Sequence, residues 1–264
     1  MSDADLAIAA AEAGAAVVRA RFGQPLDRYA KSGRDFATAA DIESEKAILD
    51  VLRAARPGDA VLAEESGADG DPGADRVWLV DPLCGTHNFA ARTPLVAVNV
   101  ALRTGGEVTA AASADPFGGE VFWTDGAVAR VRVDGADRPL TPDAAVPLVD
   151  VNLEPPFANG PGFRAVRLLG DVAFTQRFGP RVSSSTLALL WVAAGRRAGF
   201  VSDSDLRDNV HFAAPVAVCR AAGCVVTGLR GQPVYEGAGG LVAAADRETH
   251  DALLAMVGKQ FRGS

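Results

Sequence analysis

The chain has 264 residues, 48% hydrophobic and 22% charged, with a formal net charge of −7. That balance excludes a largely disordered chain, and its acidic sign argues against nucleic acid as a general partner, because neutralising phosphates needs clustered Lys and Arg. No run reaches the ~18 apolar residues of a membrane span, and Cys84, Cys219 and Cys224 are too few for a disulfide framework.

Asp3 and Asp5 stand where an export signal would carry positive charge, so a cytoplasmic setting without membrane contact is expected. Residues 2–22 have helix composition, with Ser2 or Asp3 as N-cap and Gly23 as the stop. A second helix is expected over 41–55, opened by Asp41, Glu43 and Glu45 and closed by Pro57. Two apolar runs, 60–63 and 77–80, read as strands ending in carboxylates: Glu64 and Glu65 after the first, Asp81 after the second. Strand ends that deliver acidic side chains into a shared crevice are a common way to build a site in α/β folds.

Runs at 96–102, 108–113, 120–123 and 128–133, separated by glycine-containing turns, predict an antiparallel meander. From about 147 the pattern alternates strand and helix, with helices expected near 184–195, 209–222 and 247–259. The proline-rich stretch 140–147 divides a first half, 1–145, carrying the acidic motifs, from a second half, 146–264. The two are expected to form one compact unit.

Three segments carry chemistry. They are Asp35-Phe36-Ala37-Thr38-Ala39-Ala40-Asp41, Ala63-Glu64-Glu65-Ser66, and Trp78-Leu79-Val80-Asp81-Pro82-Leu83-Cys84-Gly85-Thr86-His87-Asn88-Phe89. A fourth, weaker one is Val210-His211-Phe212-Ala213-Ala214, followed by Ala221-Ala222-Gly223-Cys224. Taken singly, Asp41 is an ordinary helix cap, Glu64-Glu65 a solvated strand end and Asp81-Pro82 a turn opener. In this order and spacing they resemble the D-x-[VA]-T-x-x-D, G-E-E-S, W-[IL]-[IV]-D-P-[IL]-D-G-T-x-N-F and W-D-x-A-A motifs of the inositol monophosphatase family, over about residues 30–227.

The resemblance implies an α/β (α+β) fold, the layered α-β-α-β-α arrangement of inositol monophosphatase and fructose-1,6-bisphosphatase-like sugar phosphatases. It implies hydrolysis of a small phosphorylated metabolite: a sugar, inositol, histidinol or nucleotide monophosphate. Mg2+ takes hard oxygen ligands, and by carry-over Glu64, Asp81 and the Leu83 carbonyl would hold a first ion. Asp41 and Thr86 would position the attacking water, and the amides of Gly85 and Thr86 would receive the phosphate. Ser184, Asp203, Asp205 and Arg207 are the candidates for reading the rest of the substrate. A homodimer is the family's common state.

Two positions depart from the pattern. Cys84 stands where the D-P-x-D-G-T motif has its second Asp, and counting back from Gly223 puts His211 where the W-D pair has its Asp. In the family both aspartates serve a second metal, of whose carboxylates only Asp81 remains; Asp208 lies about a helical turn away. Thiol and imidazole are poor ligands for Mg2+, so one Mg2+ site and a degenerate second site are expected. Four outcomes are open: His211 serving as the acid for the leaving group; Asp81, Cys84 and His211 forming a Zn2+ or Fe2+ site; redirected chemistry such as phosphate elimination or cyclisation on Cys84 or His211; and non-catalytic binding of a phosphorylated ligand.

Overall fold

Local hydrogen bonding at the N-terminus fixes the first helix. Ser2 Oγ accepts from the Asp5 amide at 3.1 Å while the Asp5 carboxylate takes the Ser2 N–H at 3.0 Å, a capping box from which α1 runs Asp3–Arg21. The computed structural model describes all residues except 32, 34, 154–158, 160–161, 207–208, 238 and 263–264. The chain divides into two units: Met1–Pro139 with Ser185–Leu187 and Val210–Val218, and Leu140–Ser184 with Ala188–Asn209 and Cys219–Ser264.

After α1 come β1 (Arg28–Ala30), β2 (Phe36–Thr38), α2 (Ala39–Ala55), β3 (Ala60–Ala63), β4 (Gly67–Asp69), β5 (Arg76–Cys84) and α3 (Thr86–Ala90). The meander follows as β6 (Ala97–Thr104), β7 (Glu107–Asp115), β8 (Glu120–Thr124), β9 (Ala129–Val133) and β10 (Ala136–Pro139). Next are β11 (Leu148–Asn152), α4 (Val172–Arg177), β12 (Gly179–Ser183), α5 (Leu187–Ala193) and β13 (Gly199–Ser202). The chain closes with α6 (Val210–Ala221), β14 (Val225–Thr227), β15 (Leu241–Ala244) and α7 (Arg247–Arg262). Among the described residues no helix is long and apolar enough to cross a membrane.

The first unit holds an eight-stranded sheet in the order β10-β9-β8-β7-β6-β5-β3-β4. Only the β3–β5 pair is parallel. Strand side chains alternate between faces, and β5 shows why its run is apolar throughout. Trp78 and Val80 pack with Leu6, Ile8 and Val18 of α1 and Ile48 and Leu52 of α2. Val77 and Leu79 face the other way, against Val210, Ala213 and Ala214 of α6. The second unit holds a five-stranded sheet, β12-β11-β13-β15-β14, with β11 parallel to both neighbours. Val149, Val151, Val201 and Val242 cluster there with Phe163, Phe174, Leu253 and Val257. This is a mixed α/β layered fold.

Three differences from the expected boundaries bear on the site. The second helix begins at Ala39 rather than Asp41, because Thr38 is its N-cap and Asp41 closes a capping box from the first turn. β5 does not stop at Val80 but runs through Asp81 to Cys84, with a register irregularity between those two residues. α5 starts at Leu187 rather than 184, since Ser185 Oγ accepts the Leu187 N–H at 3.2 Å and turns the chain before the helix.

Candidate active site

Proline sets the geometry at the end of β5. Pro82 has no N–H and cannot continue the ladder, so Asp81 pairs with Asn99, Cys84 pairs with Ala97, and the intervening residues bulge. The bulge is held from within. Asp81 Oδ1 accepts from the Leu83 amide at 3.2 Å, and Ser44 Oγ of α2 donates to the Pro82 carbonyl at 2.8 Å. Gly85 then sits at φ 101, a left-handed conformation that side-chain-bearing residues rarely adopt, and turns the chain into α3.

Asp41 and Thr86 meet over this bulge. Thr86 Oγ1 lies 2.8 Å from Asp41 Oδ1 and 3.2 Å from the Leu83 carbonyl. The other Asp41 oxygen accepts from the Thr38 amide at 2.8 Å and from the Thr38 hydroxyl at 2.6 Å. Burial pushes the Asp41 carboxyl above its ordinary range, against the opposing pull of the Thr38 and Thr86 hydrogen bonds.

The end of β3 is braced by Glu45, whose two carboxylate oxygens accept the amides of Glu65 at 2.7 Å and Ser66 at 2.9 Å. Lys31, beyond β1, bridges Glu64 Oε1 at 2.9 Å and Glu65 Oε1 at 2.8 Å. The second oxygen of Glu64, Oε2, is buried without a hydrogen-bond partner. Burial and the neighbouring Asp81 charge push the Glu64 carboxyl well up. A buried, unpartnered carboxylate oxygen is costly unless a proton or a cation satisfies it.

His211, in the first turn of α6, places Nδ1 2.7 Å from Asp81 Oδ2 and 3.9 Å from Glu64 Oε2. Burial opposes the charged ring, but the Asp81 and Glu64 carboxylates outweigh it and lift the His211 pKa to about 9. Burial alone would raise fully buried Asp81, yet His211 and the Asn99 amide, 3.1 Å away, hold its carboxyl below the ordinary range. The Cys84 thiol receives the Thr186 amide at 3.3 Å, and burial together with the Asp81 charge pushes its pKa up. One ligand atom each from Asp81, Cys84 and His211 lies within 4.8 Å of the others.

These donors fit one hard cation. The orphaned Glu64 Oε2, the Asp81 carboxylate and the Leu83 carbonyl are the oxygen types that Mg2+ takes. The Cys84 and His211 positions do not fit a second Mg2+, because they offer sulfur and nitrogen.

Of the residues singled out from the sequence, Asp41, Glu64, Asp81, Leu83, Cys84, Gly85, Thr86 and His211 all lie in the first unit. Ser184, Asp203 and Asp205 belong to the second. There Asp203 is buried, with Oδ2 accepting from Arg164 Nε at 3.1 Å and the Ala165 amide at 3.0 Å. Arg207 and Asp208 lie outside the described residues. Sequence reasoning missed Lys31, Asn99 and Thr186. Only Lys31 left a signal, standing just ahead of the Asp35 motif; the other two belong to no motif.

The chain matches the inositol monophosphatase family over residues 2–260. It is 37% identical over 179 residues to an inositol-1-monophosphatase of Caulobacter vibrioides, a span of 63% of this chain and 66% of that protein. It is 31% identical over 256 residues to the Nus factor SuhB of Salmonella typhimurium, covering 92% of this chain and 91% of that one. Among solved structures, an inositol monophosphatase of Thermotoga maritima superposes with a TM-score of 0.84 at 20% identity, covering 100% of this chain and 99% of that one. Another from Anabaena (Nostoc) superposes at 0.79 with 26% identity, covering 97% and 95%. From nearly its first residue to nearly its last, then, this chain belongs to the inositol monophosphatase family.

Proposed function

We propose that this chain hydrolyses the phosphomonoester of a small phosphorylated metabolite, with one Mg2+ site and reduced dependence on a second. The observation that carries this reading is the Thr86 hydroxyl held 2.8 Å from Asp41 Oδ1. With its proton directed at Asp41, Thr86 Oγ1 turns a lone pair outward to accept a hydrogen bond from water. As that water attacks phosphorus, its proton passes through the Thr86 hydroxyl to Asp41, a general-base relay. A Mg2+ ion held by Glu64, Asp81 and the Leu83 carbonyl would neutralise phosphate charge. The amides of Gly85 and Thr86 are the donors for the phosphate oxygens. When the phosphorus–oxygen ester bond breaks, the leaving oxygen keeps the bonding pair and needs a proton. His211 is the acid assigned to that side, and its proton is restored from solvent. Catalysis by Cys84 as a nucleophile is disfavoured, because its raised pKa keeps the sulfur as a thiol.

The test measures inorganic phosphate released from sugar, inositol, histidinol and nucleotide monophosphates with Mg2+. The wild type should turn over at least one, and Asp41→Asn should lower kcat by about 10²–10⁴-fold. Release by the Cys84→Asp/His211→Asp double variant but not by wild type would remove the phosphatase reading from the native chain while keeping its pocket. Silence from both would overturn the reading in favour of redirected chemistry or non-catalytic ligand binding.

A further inference from the structure

We propose that Asp81, Cys84 and His211 form a binding site for Zn2+ beside the Mg2+ position. The bulge in β5 and the first turn of α6 bring a carboxylate, a thiol and an imidazole together, one ligand atom from each within 4.8 Å of the others. Zn2+ takes all three ligand types, and three protein ligands with one open position is the pattern of its catalytic sites. Tetrahedral Zn2+ with ordinary bond lengths sets its ligand atoms roughly 3.3–3.6 Å apart. His211 Nδ1 and Asp81 Oδ2, now 2.7 Å apart across a shared proton, would open to that spacing, and the widest pair would close by about 1 Å.

The surroundings of the three ligands already suit a bound cation. The Thr186 amide points at Cys84 Sγ from 3.3 Å, a donor that favours thiolate over thiol. Asp81 receives the Leu83 amide on one oxygen and Asn99 Nδ2 on the other, which orients the carboxylate. Asn99 is itself fixed, donating to Thr186 Oγ1 at 3.0 Å and accepting from Ser113 Oγ at 2.7 Å. Zn2+ entry displaces the thiol proton and the proton shared between His211 and Asp81, so proton and metal are alternative occupants of one centre. In the zinc form the cation carries the positive charge that the His211 proton supplies otherwise. The other two cysteines, Cys219 and Cys224, are buried in the second unit, and no such cluster of His, Cys and carboxylate includes either one among the described residues.

The test uses the full chain, freed of metal and titrated with Co2+, then with Zn2+, in the absence of substrate. Wild type should bind one Co2+ with a sulfur-to-metal charge-transfer band and the visible bands of a tetrahedral ion, and Zn2+ should abolish both. Cys84→Ser should lose the charge-transfer band, and His211→Ala should weaken Zn2+ binding by at least about tenfold. Cys219→Ala should keep the band, which separates this site from the other two cysteines. A wild type without a charge-transfer band overturns the proposal, as does a Cys84→Ser variant that folds with unchanged thermal melting and binds Zn2+ as tightly as wild type. Because metal binding is read without substrate, its failure is distinguishable from a failure to release phosphate.

Discussion

Asp41 assigns its two oxygens to different tasks. Oδ2 completes the capping box of α2 by accepting the Thr38 amide and hydroxyl, and Oδ1 holds the Thr86 hydroxyl. The structural and the chemical roles therefore sit on one side chain and can be separated by substitution. In Asp41→Asn the amide oxygen can still accept from Thr38, so the stability cost should stay near or below about 1 kcal/mol, the size of an ordinary cap effect. The relay loses its base, which is why the expected kinetic loss is far larger. Asp41→Ala should lose both functions, lowering the urea midpoint as well as phosphate release. If Asn and Ala variants melt alike, the two-oxygen division of labour is wrong. The same separation explains why Asp41 reads as an ordinary helix-start residue in the sequence.

At the scale of elements, the site depends on how closely α1 lies against α2. Gly14 in α1 has no side chain where a Cβ would stand 2.8 Å from both Ile48 Cδ1 and Ser44 Oγ of α2. Ser44 in turn donates to the Pro82 carbonyl of the β5 bulge. A larger residue at Gly14 gains helix propensity, worth about 1 kcal/mol. It also overpacks the contact, at a cost of up to about 3 kcal/mol. Gly14→Leu should therefore be a net loss of roughly 2 kcal/mol, read as a lower urea midpoint at unchanged slope. Gly14→Ala should also be a net loss, smaller than that of Leu, because its methyl meets Ile48 Cγ1 at 2.9 Å and, at 2.8 Å, the Ser44 hydroxyl that is held by the Pro82 carbonyl. A stabilised Gly14→Leu would show that the two helices separate freely.

At the scale of the whole molecule, an acid-sensitive network ties α1 to the sheet of the first unit. Asp3 accepts from Arg56 at 3.0 Å and Arg76 at 3.1 Å, and Arg76 also grips Asp59, which receives Trp78 Nε1 at 2.9 Å. Burial pushes the Asp3 carboxyl up, but its hydrogen bonds and charge contacts with Arg76 and Arg56 outweigh that and hold it below 3.8. A carboxyl depressed in the folded state leaves the unfolded chain binding more protons. Its stabilisation is thus complete above about pH 3.8 and lost as pH falls through the lower folded value. Urea midpoints followed into acid should fall, and Asp3→Asn should flatten that part of the profile. An unchanged acid limb would exclude Asp3 as a contributor.

Much of the architecture is written locally along the chain. Apolar alternation marks the strands of the meander, and cap residues mark the helices. These signals survive in the sequence because periodicity, capping and turn chemistry act over a few neighbouring residues. Boundaries were less legible where a side chain competes with the backbone, as Thr38 does at α2 and Ser185 before α5. The sequence by itself determined the family and the fold class, and its resemblance to that family implies that Asp41, Glu64, Asp81, Leu83 and Thr86 form one set and that Cys84 and His211 stand where the family has aspartates. Only the tertiary structure decided that Lys31 reaches Glu64 and Glu65, that His211 bonds Asp81, and that Thr186 covers the Cys84 sulfur. Those pairs are far apart along the chain, and their meeting depends on how a hairpin, a helix and a turn pack onto one sheet, which no local pattern encodes.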